Sequence, residues 1–439
     1  MPDHARSADP AVQAQLDRLT ALSPGADVLG LERITRLLAR LGDPHLALPS
    51  VFHVAGTNGK GSTCAFLRAA LEAEGHAVHV YSSPHLVRFN ERIRVAGRLI
   101  DDAALAALLA EVLDAAGDIG PSFFEATTAA AFLAFARAPA AATIVEVGLG
   151  GRFDATNVVR PVVTGIAALG LDHQFFLGDT LVEIAGEKAG IAKRSVPLVT
   201  MHYPAAIRAR VAMVAEAAGA PVFARGEAWT STGVAGRVRY AEPGYSLTVP
   251  RPDLPGPHQA HNLALAIAML RRQGAVPVGE AALTNAARTV CWPARLQRLR
   301  SGPLVDRLPA GSVVRLDGAH NPSAAAPVAR AWAKAADRPR ALVLGMLANK
   351  DAEGVLDQLL AGVGRLVAVP VEGHDHHAPT ALAAAARERG VRADPAPTLA
   401  DALDLLAGDP STSEPLDVLI AGSLYLAGTA LAANDEVPT

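Results

Sequence analysis

The sequence predicts an α/β protein: a mainly parallel sheet built around a phosphate-binding loop, with a small antiparallel addition, followed by a second, smaller Rossmann-like α/β unit. Three observations carry this. Val51, Phe52 and Val54 form a β-branched and aromatic run that passes directly into Gly56, Thr57, Asn58, Gly59, Lys60, Gly61 and Ser62. A helical stripe follows at Phe66, Leu67, Ala70 and Leu71, with Gly75 as its stop. Short apolar runs then alternate with helical patterns, and past Arg295 the alternation starts again.

Taken in order, Val12–Leu22 and Leu29–Leu41 read as helices, the second with Leu31, Ile34, Leu37, Leu38 and Leu41 at helical spacing. After the glycine loop and its helix, Val78–Tyr81 is a strand, Asp101 caps a helix to about Leu113, and Phe123, Phe124 and Glu125 open another through Arg137. Thr143–Val147 and Val162–Ile166 are buried-type strands. Thr180–Ala189 is a helix, and Pro197–Thr200, Ala205–Gly219 and Pro221–Phe223 continue the alternation. Short alternating runs from Trp229 to Val249, around Gly233, Gly236 and Gly244, predict the antiparallel addition. Helices from His258 to Arg271 and Gly279 to Val290 close a first domain expected over 1–295. Residues 296–311 are expected to be a linker and 312–439 the second domain, with strands at 313–316, 341–344, 365–369 and 416–421 and helices at 323–336, 352–360, 380–390 and 398–407.

Composition excludes several classes. At 439 residues, half of them hydrophobic, the chain is long enough for two cores, and a net charge of −3 offers no general attraction for nucleic acid or an anionic membrane. Met1–Pro10 carries no apolar signal segment, and no uncharged run is long enough to span a bilayer. Cys64 and Cys291 alone cannot make a disulfide framework, so a cytoplasmic protein is expected, working as a monomer.

The chemistry concentrates at strand ends. Consecutive glycines let backbone N–H groups turn toward an anion, the helix start adds partial positive charge, and Lys60 supplies a full one. The strict phosphate-loop pattern is not met, because Val54 stands at the first glycine position and Gly61 separates Lys60 from Ser62. Ser82, Ser83, Pro84 and His85 sit where such sheets hold ligands, or form a serine turn. Glu146 is an acid inside an apolar strand, which fits a cation holder or a buried ion pair. His173 alone reads as a loop histidine. Lys188 reads as a snorkelling lysine unless it is buried, in which case its amine becomes able to react with carbon dioxide. His374, Asp375, His376 and His377 invite a zinc reading, weakened because loop-adjacent histidines rarely share tetrahedral geometry and no cysteine joins them.

With these residues in view the chain resembles the folylpolyglutamate synthase/dihydrofolate synthase branch of the Mur ligase superfamily. The resemblance runs through GTNGKGS at 56–62, SSPHL at 82–86, FFE at 123–125, EVGLGGRFDATN at 146–157 and LDH at 171–173, then GEKAGI at 186–191, HQAHN at 258–262, DGAHNP at 317–322, LANKD at 347–351 and GSLYL at 422–426. It implies an ATP-dependent ligase that makes an acyl phosphate from dihydropteroate or a reduced folate and lets L-glutamate displace the phosphate. It further implies ATP contacts at Asn58, Gly59, Lys60, Gly61, Ser62, Asn262, Arg295, Asp317 and His320, with Lys60, Lys188 and His320 serving catalysis. One or two Mg²⁺ ions are implied at Ser83, Glu146, His173 and a carbamylated Lys188, and a pterin site at Gly30, Leu31, Glu32, Ser122, Phe123, Phe124, Glu125, Arg152, Phe153, Asp154 and Ala155. One departure stands out: Pro293, Ala294 and Arg295 occupy a place where the family often has Pro-Gly-Arg.

Two alternatives remain at this stage. One is a Mur-type ligase joining an amino acid to a UDP-sugar acid. The other is a nucleotide-dependent switch, for which Asn349, Lys350 and Asp351 superficially fit a guanine motif, although Ala352 stands where that motif needs its acid.

Overall fold

The computed structural model describes residues 5–22, 29–335, 338–409 and 414–439. The first four residues of the polar N-terminal stretch and the last residue of the helix expected over 323–336 lie outside them. The chain forms two compact units. One comprises the chain up to Pro84, Phe89–Asp253 and His258–Cys291; the other comprises His85–Arg88, Leu254–Pro257 and Trp292 onward.

The first unit is built on strands β1 (Ser50–Ala55), β2 (Val78–Tyr81), β3 (Ile93–Val95), β4 (Arg98–Leu99), β5 (Ala142–Glu146), β6 (Pro161–Ile166), β7 (Leu198–Thr200) and β8 (Val222–Ala224). They form one sheet in the order β4-β3-β2-β5-β1-β6-β7-β8. All neighbours from β2 to β8 are parallel, and β3 and β4 add an antiparallel hairpin at one edge. The central strands are buried along nearly their whole length, which is why they read as continuous apolar runs. Helices Pro10–Leu22, Glu32–Arg40, Asp102–Ala116 and Phe123–Ala136 share one apolar cluster with Val51, Tyr81 and Val145. Asp101 and Ser122 start the last two by accepting from Ala104 N and Glu125 N, which satisfies amides that a helix start leaves open. The antiparallel addition is a three-stranded sheet of β9 (Thr230–Val234), β10 (Arg237–Glu242) and β11 (Tyr245–Pro250), ordered β11-β10-β9.

The second unit has a six-stranded sheet of β12 (Gln297–Arg298), β13 (Val313–Leu316), β14 (Arg340–Leu344), β15 (Arg365–Ala368), β16 (Arg392–Pro395) and β17 (Asp417–Ala421), ordered β12-β13-β17-β14-β15-β16. Residues 296–311, expected to connect two domains, are folded instead. Gln297 and Arg298 pair antiparallel with β13, and Leu299, Leu304 and Leu308 are buried in the same cluster as Val314 and Val418. Strand β16, not anticipated, ends in Pro395 at the sheet edge, where a missing backbone donor is tolerated. Leu86 and Val87 pack on this unit's core, and the Leu86 carbonyl lies where any side chain at Gly428 would fall. Among the described residues no helix is long and apolar enough to cross a membrane.

Asp417, only 2% exposed, is the second unit's most enclosed acid with a full set of donors: Arg315 Nε at 3.0 Å, Arg315 Nη2 at 3.0 Å and Trp332 Nε1 at 2.7 Å. Removing the guanidinium leaves a buried carboxylate with one donor. Arg315→Leu is therefore expected to lower stability in urea by about 3–5 kcal/mol. A loss below about 1 kcal/mol, the range of exposed pairs, would contradict this account.

Candidate active site

The glycine loop follows β1 as expected, and the helix starts at Lys60, ahead of its apolar stripe. Gly59 is the residue before it, at φ 86°, and a side chain there would meet Asn262 Oδ1 at 2.5 Å. The position therefore needs glycine twice over, for its left-handed backbone and for the amide packed against it. Asn262 is oriented by Gln259, whose Oε1 accepts from Asn262 Nδ2 at 3.0 Å. Thr57 N and Asn58 N both donate to Ala168 O, and Thr57 Oγ1 donates to Gly170 O at 3.0 Å, so the loop is anchored to the segment after β6. The first-turn amides of Lys60, Gly61 and Ser62 have no intrahelical acceptor, the arrangement that receives an anion. Lys60 Nζ donates to Gly56 O at 3.0 Å and Thr57 O at 3.3 Å, and an ammonium has a third proton to give.

Strand register gathers the other candidates on the same rim. Val54 pairs with Glu146 and Ala55 with Ile166, while Tyr81 pairs with Val145. The carboxyl ends of β2, β5, β1 and β6 therefore lie side by side, bearing Ser83, Glu146, the glycine loop and Asp172–His173 in that order. Glu146 is 5% exposed. His173 is a left-handed residue whose N–H donates to Asp172 Oδ1 at 2.9 Å. The side chain of Asp172 is buried, that of His173 only half so. Asp172 is the acid that the sequence reading passed over; its signal was an aspartate just beyond a strand end.

Lys188 is buried on the helix Leu181–Ala189. Burial, and then the charge of Lys60, bring its amine down from 10.5 to about 7, while Asp172 and Asp154 pull the other way. The snorkelling alternative is thus excluded by its environment. The donor types suit a hard divalent ion: the Glu146 carboxylate and the Ser83 hydroxyl are both oxygen donors. A neutral lysine amine is a poor ligand for such an ion, and a carbamate on it is a good one.

The residues of the implied pterin site fall into two groups. Leu31, Phe123, Phe124 and Ala155 pack in one apolar cluster, and Phe123 meets Phe89 edge-on at 5.8 Å. Arg92, which the sequence reading did not single out, is buried with its guanidinium over both Phe89 and Phe123. Ser122 and Glu125 form a capping box, and Glu125 Oε2 also accepts from Arg33 Nε at 2.9 Å, holding the 30–33 segment to this helix start. In the loop after β5, Asp154 is buried and accepts from Leu149 N at 2.8 Å, whereas Phe153 is 46% exposed. Arg152 pairs with Glu187 at 3.2 Å. Gly30 lies against the Glu32 carboxylate.

In the second unit, Asp317 accepts from Leu296 N at 2.7 Å and Ala319 N at 2.8 Å. Burial raises its pKa and Arg295 opposes that. His320 Nδ1 lies 2.8 Å from Gly318 O, which fixes Nδ1 as the protonated nitrogen and turns Nε2 to other partners. Ala294, at the position where glycine is frequent in the resembling family, has φ 54° and is fully buried. The histidine run does not converge as a zinc set. His376 Nδ1 and His377 Nε2 face the carbonyls of His374 and Lys350, and His374 stacks on Tyr425 at 3.8 Å. Asp351, from the superficial guanine motif, caps the helix Ala352–Leu359 through Gly354 N.

The Lys188 environment has a consequence for stability. In the unfolded chain the amine keeps its proton to about pH 10.4, whereas in the fold it loses it near 7. Between those values the unfolded state binds more protons, so stability rises with pH; below 7 the full penalty of a buried charge remains. Lys188→Met should therefore melt higher than the parent at pH 6–7, with the gap closing toward pH 10 in bicarbonate-free buffer. A gap that does not vary with pH contradicts the assigned shift.

A family model described as the Mur ligase glutamate ligase domain matches residues 295–424. The dihydrofolate synthase/folylpolyglutamate synthase of Escherichia coli (strain K12) is 38% identical over 347 residues, covering 79% of this chain and 78% of that one. The folylpolyglutamate synthase of Lacticaseibacillus casei is 32% identical over 419 residues, covering 90% and 92%. Among solved structures, E. coli FolC in complex with DHPP and ADP has a TM-score of 0.86 at 33% identity, with 97% of each chain covered. A bifunctional folylpolyglutamate synthase/dihydrofolate synthase with Mn, AMPPNP and L-glutamate bound has a TM-score of 0.84 at 32% identity, covering 97% and 99%. The likeness in sequence and in fold spans nearly the whole chain, which therefore belongs to the folylpolyglutamate synthase/dihydrofolate synthase family of ATP-dependent glutamate ligases.

Proposed function

We propose that the strand-end rim of the first unit carries out this ligation with the following division of labour. The first-turn amides at 60–62 and the Lys60 ammonium take the ATP phosphates, with Asn58, Gly59 and Asn262 shaping the loop. Arg295, Asp317 and His320 are the second unit's ATP residues. The apolar cluster of Leu31, Phe123, Phe124 and Ala155, with Gly30, Glu32, Ser122, Glu125, Arg152, Phe153 and Asp154, takes the pterin acid. The single observation that carries the reading is a helix start with open amides, one lysine bonded to its own loop with a proton to spare, and an enclosed Glu146 on the adjacent strand.

A carboxylate does not react with an amine until it has a leaving group. The pterin acid attacks the terminal phosphorus of ATP, ADP departs, and the resulting acyl phosphate loses phosphate to the amine of L-glutamate. Attack of one anion on another is slow unless charge is neutralised, and Lys60 contributes a fixed positive charge that requires no reorganisation. Ser83, Glu146, His173 and Lys188 would hold Mg²⁺, which neutralises phosphate charge when bound. For Lys188 this requires the carbamate, and an amine near neutrality at pH 7–8 is the form that reacts with carbon dioxide. A UDP-sugar acid is not favoured, since two phenylalanines and a buried arginine suit a flat aromatic acid better than a sugar diphosphate.

The test is an ADP-release assay with dihydropteroate and with tetrahydrofolate, run side by side. ADP should appear in step with new amide only when glutamate and a pterin acid are both present. Hydrolysis indifferent to both would instead favour a switch. Lys60→Ala is expected to lower kcat by about 10²-fold or more with little change in melting temperature; near-normal turnover would remove Lys60 from its role. With ¹³C-bicarbonate, a carbamate resonance should appear and be absent in Lys188→Ala, whose activity acetate or propionate should partly restore. A free amine in active protein would contradict the carbamate.

A further inference from the structure

Behind the loop that follows β5 stands a histidine that the chemistry above does not use. His53 lies in the middle of β1 with no solvent exposure, and its Nε2 is 2.9 Å from Thr156 Oγ1. The Thr156 hydroxyl in turn donates to Asp154 Oδ1 in a short hydrogen bond. A hydroxyl has a single proton. Since that proton goes to the carboxylate, the oxygen can only accept from the ring, and Nε2 of His53 must be the protonated nitrogen. The ring is neutral: burial, then the nearby charge of Lys193, hold its pKa at about 3. Nδ1 has no hydrogen-bond partner.

Packing alone does not account for this residue. A strand position enclosed on every side is better filled by leucine or phenylalanine, because a buried lone pair without a donor destabilises the fold. What the imidazole adds is one donated proton, and that proton ends a directed chain. Thr156 N also donates to Asp154 Oδ1, at 3.0 Å, and Leu149 N to Oδ2, at 2.8 Å. The loop is tied down further by Asn157 Nδ2 on the carbonyls of Arg152 and Gly190, and by Lys193 Nζ on Asn157 O. Asp154 is thus gripped at both oxygens, and the His53–Thr156 arm ties it to the central strand.

We propose that His53 is a positioning residue for pterin selection: its Nε2 proton orients the Thr156 hydroxyl, which locks Asp154 and so sets the wall that residues 153–155 present to the pterin acid. This rests on the reading of that loop as part of the pterin site. None of these bonds reaches the glycine loop, so the relay acts directly on the wall at 153–155 and not on the residues at 56–62.

The experiment compares His53→Leu, His53→Gln, Thr156→Val and the double variant His53→Leu/Thr156→Val as full chains, with dihydropteroate and ATP varied separately and melting temperatures recorded. His53→Leu should raise KM for dihydropteroate about tenfold, the size of one directed hydrogen bond to a charged network. KM for ATP, kcat and melting temperature should change little. His53→Gln, which restores a donor, should recover most of the loss, and the double variant should be no worse than the worse single one. Unchanged KM for dihydropteroate in both His53→Leu and Thr156→Val overturns the relay. So does a rise in both KM values together with a lower melting temperature, which marks a structural role. Asp154→Asn separates the two levels of the argument: if it too leaves KM for dihydropteroate unchanged, the pterin reading of the loop fails and the relay fails with it. If it raises that KM while the His53 and Thr156 variants do not, only the relay fails.

Discussion

Two lysines in one buried neighbourhood govern the first unit. Lys60 and Lys188 repel each other, and the burial of Lys188 weakens the screening that solvent would give. The fold resolves the conflict unequally. Lys60 donates to two loop carbonyls, and burial brings the Lys188 amine down to about 7. One lysine is held by its own loop at a helix start, and the other is left with an amine near neutrality at pH 7–8. Asp172 and Asp154 favour the charged form of Lys188 and burial opposes it, so the electrostatics of the rim turn on that amine.

How much of this was legible in the chain depends on how local the cause is. The glycine loop, Glu146 in its apolar strand and the parallel alternation could be read because each is written in a few adjacent residues. Even the small antiparallel sheet announced itself through glycines at 233, 236 and 244, the last two in the turns that separate β9, β10 and β11 and the first within β9. Lys188 could not be read, since what changes its chemistry is enclosure by distant segments, and a lysine on an apolar helix looks the same buried or exposed. Family resemblance supplied what spacing could not, for Lys188, His173 and the second unit's Arg295, Asp317 and His320.

The errors have the same origin. Residues 296–311 carry leucines at 296, 299, 304 and 308, but their spacing fits neither a long helix nor a clean strand, and a short edge strand with buried flanks was taken for a connection. The histidines at 374–377 invited a zinc reading through their contiguity, and the same contiguity was the ground for setting it aside. Contiguity turns successive side chains away from a common point, and the fold uses these rings as caps for carbonyls and as a stacking partner for Tyr425. Ser122 and Glu125, assigned to a ligand by resemblance, also perform the local task of starting a helix, which any substitution there would disturb first.

Leu86 and Val87, in the first half of the chain and far from the rest of the second unit in sequence, are nonetheless part of that unit's core. The bare edge of Gly428 is shaped to receive the backbone at Leu86. A fragment excised at Cys291, or at the border of the glutamate ligase match, would leave with an open apolar seam and without the segment that fills it. Transplanting this unit between enzymes is accordingly a splice at several points, and chimeras joined at one would be expected to clump before they could be assayed.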